Sequence, residues 1–203
     1  MGQFTVKKNV AGIEGLCIIM PAVHCDKRGY FMETYNQNDM EKNGLNMVFV
    51  QDNQSMSTKG VLRGIHLQKE HPQGKLVRVI KGKVYDVAVD LRKDSKTYGK
   101  WFGLELSEEN KKQFYIPEGL AHGFLVLSET AEFCYKVTDF YYPEEEIGFA
   151  WNDPQIGIQW PKLKGEYKGN ASSNGYFVDG VALNLSDRDQ KWLTVRETLE
   201  HKE

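Results

Sequence analysis

The 203-residue chain has no run approaching the ~18 consecutive apolar residues of a spanning helix, which excludes a membrane-crossing segment of that kind. Cysteine is scarce: Cys17, Cys25 and Cys134 stand alone, with no Cys-x-x-Cys pair and one thiol left over. Such a set excludes a disulfide framework and fits free thiols in a reducing cytoplasm, each expected as a small core hydrophobe. No Gly-rich loop of the Walker or dinucleotide type occurs, so no nucleotide or redox cofactor is expected. Positive charge is neither abundant nor clustered. Lys and Arg total 26 against 28 Asp and Glu, the net charge is −2, and no basic patch marks a nucleic-acid or anionic-membrane partner. The opening Met-Gly-Gln-Phe-Thr-Val-Lys-Lys has no apolar stretch of the secretory kind, and Val6 stands where a myristoylation start requires Ser or Thr.

What is present describes a globular protein with a well-filled interior: 12% aromatic and 27% charged residues, in a length suited to one full core. A single domain is expected, with its core over about residues 13–161. Short β-type runs dominate to about residue 138, broken every eight to twelve residues by Gly, Asn, Asp or Lys-Gly, which predicts an all-β sandwich or barrel. Lys83–Leu91 alternates clearly, with Tyr85, Val87, Val89 and Leu91 on one face and Asp86 and Asp90 on the other. A short helix is predicted over Asp39–Asn43, capped by Asn38 and closed by Gly44. Residues 162–180 read as a polar surface insertion. After Leu185-Ser186-Asp187-Arg188-Asp189, the spacing of Trp192, Val195 and Leu199 predicts a C-terminal helix over about 187–200.

Two stretches put imidazoles into apolar strand sequence: Gly60–Gln68, with His66, and Tyr115–Phe124, with His122. A histidine flanked by Ile and Leu is either a satisfied core residue or a working acid or base. Arg63, Lys75 and Tyr135 lie in neighbouring runs of the same type, and cationic side chains are seldom buried without partners, so a lined cavity is expected. A metal site of the His-x-His type is not: Gln68 stands where the second imidazole would be, and a neutral amide is a poor ligand. What remains is chemistry by His, Tyr, Lys and Asp without metal or cofactor.

Several runs then match one family in order: Arg28–Tyr35, Gln51–Ser55, Lys59–His66, Gln73-Gly74-Lys75-Leu76, Val87–Ser95, Ile116–Phe124, Tyr135-Lys136 and Trp151-Asn152-Asp153. Together they resemble the dTDP-4-dehydrorhamnose 3,5-epimerases over about residues 13–161, with a thinner match at Leu185–Asp189. The resemblance implies a cupin-type jelly roll, a homodimer with exchanged N-terminal strands, and a dTDP-linked 4-keto-6-deoxyhexose substrate. It implies His66 as base, Asp189 as the carboxylate that orients it, Tyr135 as the opposite-face acid, and Lys75 with His122 at the enolate oxygen. Arg63, Arg28 and Glu33 resemble contacts to the diphosphate and nucleoside. Phe31 and Tyr141 resemble aromatic groups near the base, and Gln51, Asn53, Glu146 and Arg188 match further substrate contacts.

The residues themselves leave some of this open. Arg63 and His66, three apart, face opposite sides of a regular strand unless Gly64 carries a bulge. His122 follows a Pro-x-Gly turn that it could merely tie down. Ser186–Asp189 is also a helix-capping pattern, and Asp187 rivals Asp189 as the partner of His66. Epimerisation at one carbon only, action on another nucleotide sugar, and a non-catalytic sugar-nucleotide-binding module are the competing functions.

Overall fold

The computed structural model describes residues 3–163, 177–178 and 181–200. In chain order the strands are β1 (Phe4–Lys7), β2 (Cys17–Pro21), β3 (His24–Asp26), β4 (Gly29–Phe31), β5 (Gln51–Thr58), β6 (Leu62–Gln68), β7 (Lys75–Lys81), β8 (Lys83–Asp90), β9 (Trp101–Ser107), β10 (Gln113–Ile116), β11 (Leu120–Val126), β12 (Thr130–Val137), β13 (Glu146–Gly148), β14 (Phe177–Val178) and β15 (Val181–Ala182). Among the described residues the α-helices are two and short, α1 (Gln37–Lys42) and α2 (Val195–Glu200), the second following the last strand. One antiparallel sheet runs β1-β2-β10-β7-β12-β5 and faces a second, β13-β6-β11-β8-β9; β3-β4 and β14-β15 form separate hairpins. Among the described residues no helix is long and apolar enough to cross a membrane.

The two sheets close on a core to which both contribute: Val77, Phe114 and Phe133 from the first, Val84, Leu106, Phe124 and Val126 from the second. Burying an aliphatic or aromatic side chain of this size contributes about 1.5–3 kcal/mol. Both sheets are also covered outside. Phe4, Met40, Leu45 and Met47 pack with Cys17, Ile19, Leu76 and Tyr115, while Phe149 and Val195 pack with Ile65, Val87 and Val89. The alternation in β8 is therefore real but has no solvent face. Its apolar positions lie under the C-terminal covering layer, and Asp86 and Asp90 are wholly buried on the opposite side.

Three expectations need correction. Helix α1 begins earlier than predicted, because Asn36 rather than Asn38 supplies the cap, accepting from the Asp39 amide at 3.2 Å. Helix α2 starts at Val195, not near 187. Ser186 closes only one turn, accepting from the Asp189 amide at 3.1 Å, and a second capping box, Thr194 with Glu197, opens the helix. Cys25 is exposed on β3 rather than packed in a core, and Cys17 and Cys134 are buried. Most of the predicted polar insertion (164–176 and 179–180) lies outside the described residues.

Asp90 ends β8 in a dense knot. Its carboxylate accepts from Arg92 Nε at 2.9 Å and Nη2 at 2.8 Å, and from Ser95 and Thr97 hydroxyls at 2.6 Å each. Burial alone would raise its pKa, but the donors from Arg92, Ser95 and Thr97 carry it well below the usual carboxylate range. A carboxylate depressed in this way stabilises the fold above the unfolded-state pKa and loses that contribution as pH falls. Asp90→Asn is expected to cost about 2–3 kcal/mol at neutral pH in urea unfolding. The gap from the native protein should shrink as pH drops below ~4. A pH-independent gap would assign the knot a purely steric role.

Candidate active site

Between the sheets, towards the end lined by β5, β6, β11 and β12, lies a cavity of about 600 Å³. Phe124 and Phe133 stack at 4.3 Å and form an apolar part of its wall, with the His122 ring stacked on Phe133 at 6.1 Å. Polar side chains enter from both sheets. Gln51 and Asn53 on β5, Tyr135 on β12 and Lys75 on β7 come from the first sheet. Arg63 and His66 on β6, His122 on β11 and Glu146 on β13 come from the second. Tyr141, Arg188 and Asp189 complete the wall from loops.

Arg63 and His66 share this cavity because β6 is bulged. His66 lies opposite His122 on β11, and Arg63 lies opposite Phe124, so three steps on one strand match two on the other. Gly64 makes the irregularity feasible. Its φ is 118°, and a Cβ there would fall 2.5 Å from Gly123 Cα and 2.7 Å from the His122 carbonyl oxygen.

A short contact joins His66 Nε2 to Asp189 Oδ1 at 2.6 Å. An ionised carboxylate only accepts, so Nε2 carries the hydrogen and Nδ1 keeps a free lone pair. Burial would raise the Asp189 pKa, but hydrogen bonds from His66, then Trp192 and Ser186, leave it lowered and the carboxylate charged. Asp187, its rival in the sequence, is exposed. On the other side of the ring, Glu146 Oε1 lies 3.6 Å from Nδ1. Glu146 also accepts from the Tyr141 hydroxyl at 3.1 Å and is ion-paired with Arg188.

His122 does not tie down the preceding turn. Its Nε2 meets both carboxylate oxygens of Asp86 at 3.0 Å, on the neighbouring strand β8. Asp86 was not singled out from the sequence as a site residue; the signal was an aspartate on an alternating strand beside Ala88. Burial drives its pKa up, against the pull of His122 and Lys75. Lys75 is pulled the other way. Desolvation lowers its pKa, opposed by Glu146 and Asp86. The Tyr135 phenol is raised, chiefly by burial, with Arg63 working in the opposite sense. Removal from water thus pushes each of these groups towards its neutral form. Among the described residues, no group of three or more His, Cys, Asp or Glu side chains is arranged to hold a metal ion.

Three residues named from the sequence are not in this wall. Arg28 and Phe31 are exposed on the β3-β4 hairpin, Arg28 paired with Asp26 at 2.6 Å and Phe31 67% exposed. Glu33 accepts from the Asn36 amide group at 3.3 Å. No described part of the same chain carries them to the cavity.

With this geometry in hand, the relatives are informative. Residues 11–197 match the family model described as dTDP-4-dehydrorhamnose 3,5-epimerase. The chain is 52% identical over 197 residues, 97% of each sequence, to a dTDP-4-dehydrorhamnose 3,5-epimerase of Methanothermobacter thermautotrophicus. Its fold resembles that of a dTDP-6-deoxy-D-glucose-3,5-epimerase from Legionella pneumophila, solved with dTDP-4-keto-L-rhamnose. That match has a TM-score of 0.82 and 43% identity, and covers 95% of this chain and 93% of that one. It also resembles a 3'-monoepimerase from Streptomyces bikiniensis solved with dTDP-quinovose, at TM-score 0.77 and 30% identity, covering 92% and 88%. The two-sheet barrel is accordingly a cupin-type jelly roll.

The bulge generates a direct test. Gly64→Ala adds a methyl group where backbone already stands, at a φ that side chains disfavour, and is expected to cost at least about 2 kcal/mol in urea unfolding. Gly123→Ala, whose Cβ would meet the Arg63 carbonyl oxygen at 2.7 Å, should behave the same way. Native stability in both variants would contradict the close strand approach described.

Proposed function

The chain belongs to the dTDP-4-dehydrorhamnose 3,5-epimerase family and is an isomerase of that type; we propose that it converts dTDP-4-dehydro-6-deoxy-glucose to dTDP-4-dehydro-rhamnose by inverting C3 and C5 through an enolate. One observation carries the reading. A carboxylate-paired imidazole and a half-buried phenol enter the same cavity from opposite sheets, with a lysine also in its wall. A sugar ring held in that space has a base towards one face and an acid towards the other.

The chemistry follows from the substrate. A 4-keto group acidifies the hydrogens at C3 and C5, because loss of either leaves an enolate with its charge on O4. His66 Nδ1 removes the proton, and ionised Asp189 supports the imidazolium that forms. Tyr135 returns a proton to the opposite face; burial, which raises its pKa, keeps the phenol protonated until then. Lys75 and His122, the latter fixed by Asp86, meet the charge on O4. A single donor of this kind is worth about 10²–10³-fold in rate. Each inversion leaves His66 protonated and Tyr135 deprotonated, and proton exchange with solvent resets both before the second carbon reacts.

Gln51, Asn53, Arg63, Tyr141, Glu146 and Arg188 are assigned to holding the nucleotide sugar. Arg28, Phe31 and Glu33 complete the grip from the second subunit of a homodimer whose N-terminal strands are exchanged. The exposure of Arg28 and Phe31 on the β3-β4 hairpin, and the place of all three outside their own cavity, support that arrangement. The three free cysteines support a cytoplasmic location.

Solvent deuterium separates the roles. His66→Ala should abolish deuterium entry at both C3 and C5, because one base serves both carbons. Tyr135→Phe should slow inversion about 10²–10⁴-fold, while His66 still exchanges hydrogen on its own face. Deuterium should then enter with retained configuration faster than inverted product forms. Exchange surviving in His66→Ala would assign the base elsewhere. An unchanged exchange-to-inversion ratio in Tyr135→Phe would make Tyr135 a support for the enolate. Exchange at one carbon only in the native protein would favour the monoepimerase reading.

A further inference from the structure

Asp189 Oδ1 receives a second donor besides His66. The indole Nε1 of Trp192 lies 3.2 Å from the same oxygen, and the indole ring meets His66 edge-on at 6.2 Å. Trp192 itself does not line the cavity. It is held from the other side. Gly148, directly opposite His66 in the β13-β6 pair, has no side chain, and a Cβ there would fall 2.3 Å from indole Cε2 and 2.4 Å from Nε1. The Arg188 guanidinium lies over the indole at 5.9 Å, and the Ala150 amide donates to the Leu193 carbonyl oxygen at 2.9 Å, fixing the next residue.

We propose that Trp192 is a positioning residue of the base. It anchors Asp189 and, by sharing the oxygen that pairs with His66, limits how strongly the carboxylate stabilises the imidazolium. Indole is suited to this because its N–H donates, accepts nothing and does not titrate, so the mobile proton stays on His66. The glycine at 148 is the space that admits the ring.

The inference rests on His66 being the base, and its signature is the sign of a pH shift. Other charges and titratable groups face His66 from each surrounding element: Glu146 on β13, with Arg188 and Tyr141 bound to it, Arg63 on β6, His122 on β11 backed by Asp86 on β8, Lys75 on β7 and Tyr135 on β12. Trp192→Phe keeps all of these groups, and a phenyl ring still lies under the Arg188 guanidinium. The substitution removes one donor from Asp189 and leaves more of the negative charge to His66, which favours the imidazolium. More acid-side pH range is then spent with the base protonated. The acid limb of the kcat/KM profile should move up by as much as about one pH unit, the equivalent of one hydrogen bond. KM at the optimum should hold, since the indole does not touch the cavity and a phenyl ring still backs Arg188.

The experiment measures that profile for native protein, Trp192→Phe and Trp192→Gln, with thermal unfolding confirming that each is folded. An upward shift in Trp192→Phe, reversed towards native by the N–H donor of Trp192→Gln, supports the proposal. A downward shift would mean that Asp189 has simply drifted from His66, and an unmoved limb or a rise in KM alone would remove the role; each overturns the proposal. If His66→Ala still exchanges deuterium, the epimerase reading of His66 fails. If exchange depends on His66 but the limb does not move, only the role of Trp192 fails.

Discussion

A buried charge governs this site. Asp189 is almost wholly enclosed, and an unpaired carboxylate there would be strongly disfavoured; the 2.6 Å contact to His66 Nε2 makes its ionised form stable. That single contact fixes the imidazole tautomer, leaves the Nδ1 lone pair unprotonated on the Glu146 side of the ring, and ties the C-terminal segment to strand β6. Both strand and loop must be right for it to form. The bulge at Gly64 turns His66 inward, and the Ser186 turn delivers Asp189 to meet it.

The rest of the fold provides two walls for one ligand. The shared apolar core sets the sheets apart, and the polar side chains collect where that core gives way to the cavity. Opposed walls suit a reaction that takes a proton from one face of a ring and returns one to the other. The desolvation that keeps Tyr135 protonated also presses on Lys75 and Asp86, so each of these relies on neighbours for its charge. Asp86 with His122 repeats, deeper in the barrel, the pairing of Asp189 with His66.

Much of this was legible in the sequence. Strand spacing gave the all-β class, the period of two in Lys83–Leu91 matched β8, and imidazoles flanked by apolar residues marked the cavity. Other parts were hidden for physical reasons. A sheet covered on both sides makes an inward aspartate such as Asp86 look like an outward one. The C-terminal periodicity began too early because two capping patterns, at Ser186 and Thr194, follow one another, and only the second is continued as helix. Trp192 looked like one more apolar position in that helix, since nothing local records that Gly148 leaves room for it. Arg28, Phe31 and Glu33 have no place in the cavity of one chain; nothing local in their sequence says so, and only the resemblance, with its exchanged N-terminal strands, allowed for it.

The central claim is that His66 and Tyr135 address opposite faces of one sugar ring. A crystal structure of the protein with a non-reacting dTDP-4-keto-6-deoxyhexose analogue measures this directly. The account predicts His66 Nδ1 and the Tyr135 hydroxyl on opposite faces of the ring, each directed at C3 or C5, with Lys75 Nζ at hydrogen-bond distance from O4. Both groups on one face, or the sugar outside the cavity with only the nucleotide bound, would contradict it.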